Sequence, residues 1–348
     1  LRRLNSMAAA VPPEAPWQAP KAADWDSQTF ASWMKRNVRT GVARDILRVA
    51  ITGVWAAEPR DLSLLHVLFY IRSAGSLELL TDAEGGAQQD RIVGGSQLLA
   101  LGMAEQLPVG SVELRAPARA IHHGEEGVTV ISERLSVAAR RAIVAVPPAL
   151  AGRISYDPPL PAVRDGLSQR MTQGSVVKCM AVYERPFWRE RGLSGAITSV
   201  TGPVSVGFDN SPPGGSPGVL LGFLEGAAAR EAMDLDRDRR RRIVSECFAR
   251  FFGPEASRPV HYVDKAWGAD EWSRGCYGGF MAPGAWTDNG RALRDPVGPI
   301  HWAGAETAIV WNGYMDGAVG SGQEAARAAT AALAVRATDL AGSSGAPQ

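Results

Sequence analysis

The residues whose types could do chemistry fall in three places, and the first is the stretch SRGCYGG, Ser273 to Gly279. It holds Cys276, one of 3 cysteines in 348 residues. A structural cysteine ordinarily sits among apolar neighbours, and a disulfide cysteine needs a partner. Cys179, Cys247 and Cys276 are odd in number, widely spaced and free of any C-x-x-C pair, so neither a disulfide framework nor a zinc knuckle is expected. The second place is Lys178 in VVKCM, an ammonium inside an apolar strand. Lysine is almost never fully buried without a partner. Either it snorkels to water from an edge strand, or it projects into a closed cavity where it can order a water or an electron-rich ring. The third is HWAGAETAIVWNGYMDGAVGSGQEAA, residues 301 to 326. A strand ends in Ala303, Gly304 and Ala305 with Glu306 next, and Gly313 and Tyr314 then open a long helix of small residues. Small residues permit close backbone approach, and the free amides and positive end of a helix suit an electron-rich or anionic ligand edge. Tight strand-to-helix packing would leave the same pattern.

Other candidates are weaker. GGSPG, Gly214 to Gly218, matches G-x-S-x-G, but a nucleophile elbow needs a strand before it and a helix after it. Pro212 and Pro213 precede it and the strand-like VLLGFLEG follows, so a turn is expected. The five histidines, 66, 122, 123, 261 and 301, show no metal-ligand spacing, and no metal is expected. RDRRRR, residues 237 to 242, reads as a solvated helix face. Lys+Arg 37 against Asp+Glu 36 leaves a net charge of +1, which gives no electrostatic case for nucleic acid or an anionic membrane. No apolar run of about 18 residues suggests a membrane span, and LRRLNSMAAAVPPEAP lacks the apolar core of a signal peptide. The cysteine usage points to a reducing compartment, with the cytoplasm as default.

Elements must position these groups. Residues 25 to 73 have helical periodicity, with Ser27 expected to cap QTFASWMKRNV, Thr40 to cap GVARDILRVAITGVW, and DLSLLHVLFYIRS forming a third helix. IVGGSQLLALGMAEQL reads as a turn and a helix. Short β-rich runs follow, with HHGEEG as a hairpin turn, and then the series GSVVKCMAVYE, GAITSV, PVSVGF and GVLLGFLEG. DRDRRRRIVSECFARFF returns to helix, PVHYVDKAW to strand, and strand PIHWAG precedes a final helix to about Arg336. Strands lie among helices without strict alternation, which favours an α/β chain of mixed sheets in two interleaved domains.

These segments, from PPEAPWQAP and WDSQTF through IVGGSQ, VAVPPAL, PPLP, GSVVKCMAVYERPFW and WSRGCYGGFMAPG to HWAGAETAIVWNGYMDGAVGSGQEAA, resemble the flavin-dependent amine oxidases over nearly the whole chain, the monoamine oxidases most of all. The resemblance implies FAD, held by a thioether from Cys276 to the flavin 8α carbon. It implies that Lys178 holds a water at flavin N5, that Tyr277 and Tyr314 flank the substrate amine, and that Trp267 lies beside the flavin ring. It further implies cofactor contacts at Ala118, Gly304, Ala305, Glu306, Gly313 and the Met315 backbone amide, and substrate contacts at Phe223, Thr198 and Val206. Thr198 and Val206 stand where animal monoamine oxidases place larger gating side chains, so the amine preference does not carry over. The resemblance places no carboxylate between the two tyrosine faces, and no general base is evident among the matched residues.

The implied fold is the FAD-linked amine oxidase fold: a Rossmann-like FAD domain interleaved with a substrate domain of mixed sheet and helices. Its FAD domain is expected to be incomplete. G-x-G-x-x-G is absent from the sequence, and a unit on the order of 100 residues, domain-sized, is expected to be missing ahead of residue 1. The expected parts are 1–102 as helical substrate domain, 103–167 as FAD domain, 168–269 as the substrate sheet, 270–335 as the rest of the FAD domain, and 336–348 as a disordered tail. The expected reaction converts a primary or secondary amine and oxygen through an imine to aldehyde and hydrogen peroxide, in a cytoplasmic, bacterial protein compatible with a homodimer. Two rivals remain: another flavin oxidase of this fold, acting on polyamines, amino acids or protoporphyrinogen, and an inactive fragment.

Overall fold

The computed structural model describes residues 1–343, with side chains up to residue 334. In chain order its strands are β1 (Ala120–Gly124), β2 (Gly127–Ile131), β3 (Ser136–Ala139), β4 (Ala142–Val144), β5 (Ser155–Asp157), β6 (Met171–Gln173), β7 (Val176–Tyr183), β8 (Ile197–Thr198), β9 (Val206–Asp209), β10 (Gly218–Glu225), β11 (His261–Ala266), β12 (Gly279–Met281) and β13 (Ile300–Trp302). The chain divides into two compact units, one of residues 1–20, 68–169 and 288–348, the other of residues 21–67 and 170–287.

The first unit carries a four-stranded sheet in the order β3-β2-β1-β5 and the pair β13-β4. The β1–β2 hairpin turns at Gly124 and Gly127, where the HHGEEG stretch was expected to turn. The β1–β5 and β4–β13 pairings are parallel and the others antiparallel, which gives the α/β chain its mixed character. The guanidinium of Arg164 lies buried, 3.5 Å over the Trp302 ring, and donates to the carbonyls of Ala292 and Leu293 at 2.6 and 3.2 Å. The last helix, Met315–Ser343, continues past Arg336 into the segment expected as a tail, and residues 344–348 lie outside the described residues.

The second unit is built on a five-stranded antiparallel sheet, β11-β7-β10-β9-β8. Side chains alternate between the two faces of a strand. Val177, Cys179, Ala181 and Tyr183 of β7 turn to one face with Leu220 and Leu224 of β10, and there they bury Trp188, Phe187, Phe248 and Phe252. Helix Arg237–Phe252 supplies the last two, and its Arg240, expected on a solvated face, pairs instead with Asp264 at 2.8 Å. Gly222 sits in this core because the Phe248 ring stands 2.9 Å from where its Cβ would be. The GGSPG stretch is a turn leading into β10, as its prolines require.

The helical stretch at the start of this unit corrects one expectation. The helix runs Phe30–Asn37, and its cap is Thr29, whose Oγ1 accepts from the Ser32 amide at 3.1 Å. Ser27 instead closes the preceding short helix, donating to the Asp24 carbonyl at 3.2 Å. Thr40 caps Gly41–Trp55 as its spacing suggested, accepting from the Ala43 amide at 3.3 Å. Thr29→Ala should therefore lower the unfolding free energy by about 1 kcal/mol in urea titration. Ser27→Ala should leave it within about 0.5 kcal/mol, and the reverse ranking would return the cap to Ser27.

Candidate active site

Lys178 occupies the middle of β7, hydrogen-bonded on both sides to β10 and β11, so the edge-strand reading is excluded. Its chain neighbours Val177 and Cys179 are fully buried on the core face, and Lys178 itself is half-buried on the other. Directly opposed residues of an antiparallel sheet share a face. The register aligns Lys265, Lys178, Phe223, Val206 and Thr198 in one row across all five strands. Four residues singled out from the sequence, Lys178, Phe223, Val206 and Thr198, are thus one surface.

Rings close over the Lys178 end of that row. The ammonium lies 5.2 Å from the Tyr277 ring centroid, 5.7 Å from Phe223 and 5.9 Å from Trp267. These are distances at which a ring quadrupole attracts a cation. Phe223 packs against Tyr277 with centroids 6.3 Å apart, and against Phe208 edge-on at 6.1 Å. Trp267 also receives the Lys265 ammonium at 5.2 Å, which is paired in turn to Asp270 at 2.6 Å. Asp270 accepts from the amides of Trp272 and Ser273 at 3.1 and 3.0 Å, and so fixes the entrance to the cysteine loop.

That loop is held by backbone. The Cys276 amide donates to the Gly174 carbonyl at 2.9 Å and the Gly174 amide to the Gly278 carbonyl at 3.1 Å, while β12 pairs with β6. Gly174 is required by close approach: a Cβ there would overlap the Cys276 carbonyl and stand 2.8 Å from that of Trp55. Cys276 is a free thiol and is half-buried. Burial pushes the thiol up, against the opposing pull of the Lys178 charge.

One residue absent from the sequence reading belongs to this cluster. Glu225, the last of β10, shares the face of Phe223 and is only 3 % exposed. Its Oε1 accepts from the Tyr277 phenol at 2.8 Å, and its Oε2 from Ser205 Oγ at 3.5 Å. Burial pushes this carboxyl up to about 8, overcoming the hydrogen bonds from Tyr277 and Ser205 and the Lys178 charge that favour ionisation. The signal available was its phase, two residues beyond Phe223 on a strand.

The remaining sequence-derived residues lie in the other unit. After β13, Gly304 takes a φ of 120°, and its amide donates to Ser321 Oγ at 3.0 Å. Glu306 is buried, and the Asn312 side chain donates to the carbonyls of Glu306 and Ala308 at 2.9 and 2.8 Å. The Gly313 amide reaches the Ala305 carbonyl at 3.0 Å, so the two glycine-bearing stretches meet. Gly313 has a φ of 80°, and a Cβ would stand 2.5 Å from the Tyr70 hydroxyl. Tyr314 packs on Trp311 and Tyr70, at 5.2 and 6.2 Å between centroids, and burial pushes its phenol up to about 12. Met315 is half exposed at the start of the last helix, where first-turn amides have no intrahelical partner. Ala118, half-buried, lies on the approach to β1.

The chain matches the family described as flavin containing amine oxidoreductase over residues 2–330. It belongs to the flavin-containing amine oxidoreductases. It is 40% identical over 323 residues to a probable flavin-containing monoamine oxidase A of Dictyostelium discoideum, covering 92% of this chain and 71% of that one. Among solved structures, the cyclohexylamine oxidase of Brevibacterium oxydans superposes with a TM-score of 0.91 at 32% identity, over 96% of this chain and 74% of its own. A putrescine oxidase bound to putrescine superposes at 0.90 with 36% identity, over 96% and 74%. Membership makes the protein an FAD-dependent oxidoreductase of C–N bonds, with the amine oxidase fold. No helix among the described residues is long and apolar enough to cross a membrane.

The residues present fit a flavin. Trp267 Nε1 and Gln173 Nε2 are buried donors with no acceptor among the described residues, which suits a ring edge bearing carbonyl and nitrogen acceptors. The thiol of Cys276 and the ammonium of Lys178 stand in the same cluster, and in the other unit the first-turn amides at Met315 offer the positive end of a helix.

The buried carboxyl yields a test independent of cofactor. The fold keeps a proton on Glu225 that the unfolded chain releases, so stability falls as pH rises from about 4.5 to about 8 and is flat above. In thermal unfolding, Glu225→Gln should gain on the unmodified protein across this window, by several degrees at its upper end, and hold that lead at higher pH. A lead independent of pH would mean that Glu225 ionises normally in the fold.

Proposed function

We propose that this amine oxidase acts on primary monoamines, unbranched or aryl-alkyl, in preference to diamines, and that Cys276 carries its FAD covalently. The observation behind the substrate reading is the row Lys265, Lys178, Phe223, Val206 and Thr198. It offers a ring, two small side chains and two cations, and no carboxylate. A second ammonium on a diamine would lie against this surface unpaired, and one near Lys178 would be repelled. The carboxyl of Glu225 is already engaged by Tyr277 and Ser205.

The balanced reaction is an amine RCH2NH2 with oxygen and water giving the aldehyde RCHO, ammonia and hydrogen peroxide. FAD supplies the two-electron acceptor that takes the amine to the imine and passes the electrons to oxygen. The protein orients and shields. Tyr277 and Tyr314 would each offer a ring face that attracts the amine nitrogen without neutralising it by a proton transfer. Lys178 would hold a water and stabilise negative charge developing on oxygen, an effect strengthened where water is excluded. Cys276, Trp267, Gly304, Ala305, Glu306, Gly313, Met315 and Ala118 would hold the cofactor. Cys276 fits a tether because it is a free, half-buried thiol with the Lys178 charge beside it to oppose the upward shift that burial imposes.

Steady-state peroxide production on phenethylamine, n-pentylamine and putrescine tests the substrate reading. The monoamines should exceed putrescine in kcat/KM by about 10-fold or more, the factor expected for about 1.4 kcal/mol of unpaired charge. Equal or better use of putrescine would overturn the preference. For the tether, the FAD-loaded protein is precipitated with acid and digested. A flavin-bearing peptide around Cys276, lost in Cys276→Ser, is expected; yellow colour in the supernatant with an unmodified peptide would defeat it.

A further inference from the structure

Glu225 has no part in the reaction as set out above, yet a buried carboxyl is costly to keep. Leaving a buried polar group unpaired is costly, so its hydrogen-bond partner is what makes its burial tolerable. Its partner is the Tyr277 phenol, at 2.8 Å. Tyr277 also makes ring contacts, with Phe223 at 6.3 Å and with the Lys178 ammonium at 5.2 Å. Such contacts tolerate a range of tilts and depths. A hydrogen bond at the phenol oxygen, at the far end from Cβ, fixes both the tilt and the depth of the ring.

The carboxyl is itself well supported. It ends β10 opposite Val176 on β7, and Ser205 Oγ donates to its second oxygen at 3.5 Å. Gly53 of helix Gly41–Trp55 packs on the same face, where a Cβ would lie 3.2 Å from Val206 Cγ2 and at ordinary contact, 3.8 Å, from Glu225 Oε2. The bond to Tyr277 therefore ties the cysteine loop to the central strands of the sheet, the same strands that carry Lys178 and Phe223.

We propose that Glu225 is a positioning residue for amine oxidation, its buried carboxyl holding the Tyr277 phenol so that the ring keeps a fixed face toward the substrate amine beside Lys178. This rests on the reading of Tyr277 as an amine-facing ring. The carboxyl accepts from the phenol whether or not it carries a proton, because a neutral carboxyl keeps a carbonyl oxygen free. Glutamine keeps that acceptor and the shape of the side chain. Leucine keeps the volume and removes the acceptor.

The test is a double-mutant cycle in the FAD-loaded protein with phenethylamine, using Glu225→Leu, Glu225→Gln, Tyr277→Phe and the combination of Glu225→Leu with Tyr277→Phe. Loss of one hydrogen bond predicts that Glu225→Leu and Tyr277→Phe each lower kcat/KM roughly 3- to 10-fold. The combination should be no worse than either alone, and Glu225→Gln should stay within about 2-fold of the unmodified enzyme. The same non-additivity should appear in Tm, which does not depend on turnover. Additive losses, or a Glu225→Gln as impaired as Glu225→Leu, would overturn the proposal. If Glu225→Leu does not fold, Tyr277→Phe decides: an unchanged kcat/KM overturns it. Tyr277→Ala separates the two levels. A large loss there with none in Tyr277→Phe keeps the amine-facing ring and removes the Glu225 anchor, whereas no loss in Tyr277→Ala removes both.

Discussion

An ammonium group in the central strand of a sheet is the constraint around which the second unit is arranged. Lys178 cannot reach bulk water along an edge, because β7 is paired on both sides. Desolvating its charge is costly unless other groups compensate. Here three ring faces at 5.2 to 5.9 Å supply that compensation, and the carboxyl of Glu225 stands within electrostatic reach. Each ring arrives from a different place in the chain: Phe223 from β10, Trp267 from the end of β11 and Tyr277 from the cysteine loop. The need to shelter one charge thus assembles a single ring-lined surface from distant segments.

The sheet can do this because its faces are specialised. Odd-numbered positions of β7, with Leu220 and Leu224 of β10, bury a dense aromatic core around Trp188 and Phe248. That core fixes the strands, and with them the register that sets Thr198, Val206, Phe223, Lys178 and Lys265 in line. A shift of one residue would turn Lys178 into the core and Cys179 out of it. Stability on one face therefore maintains the chemistry on the other.

Much of this was legible in the sequence, for identifiable reasons. Strand and helix segments showed through periodicity and punctuation, and VVKCM marked Lys178 because a charge between buried neighbours is conspicuous. Register was not legible, since pairing depends on which strands become neighbours, and so the common row was hidden. Glu225 was overlooked because LEG at the end of an apolar run reads as a strand emerging into solvent. Its hydrogen-bond partner Tyr277 comes more than 50 residues later in the chain. Ser27 and Thr29 illustrate a finer limit: both are good caps, and only the actual start of the helix at Phe30 selects between them. The glycines around Cys276 marked a loop, and the structure shows that they let it pack closely against Gly174.

The account stands or falls on Lys178 serving the reaction and not merely the fold, and stopped-flow absorbance of the FAD-loaded protein measures that most directly. Reduction by phenethylamine without oxygen and reoxidation by oxygen are followed separately in the unmodified protein and in Lys178→Met. Methionine fills similar volume without charge, so the ring contacts that orient the amine survive while stabilisation of negative charge on oxygen is lost. Reoxidation should slow by about 10-fold or more, as for removal of one preorganised electrostatic contact, with amine reduction changed far less. Reoxidation at the unmodified rate would contradict the account and leave Lys178 as a structural cation beneath three rings.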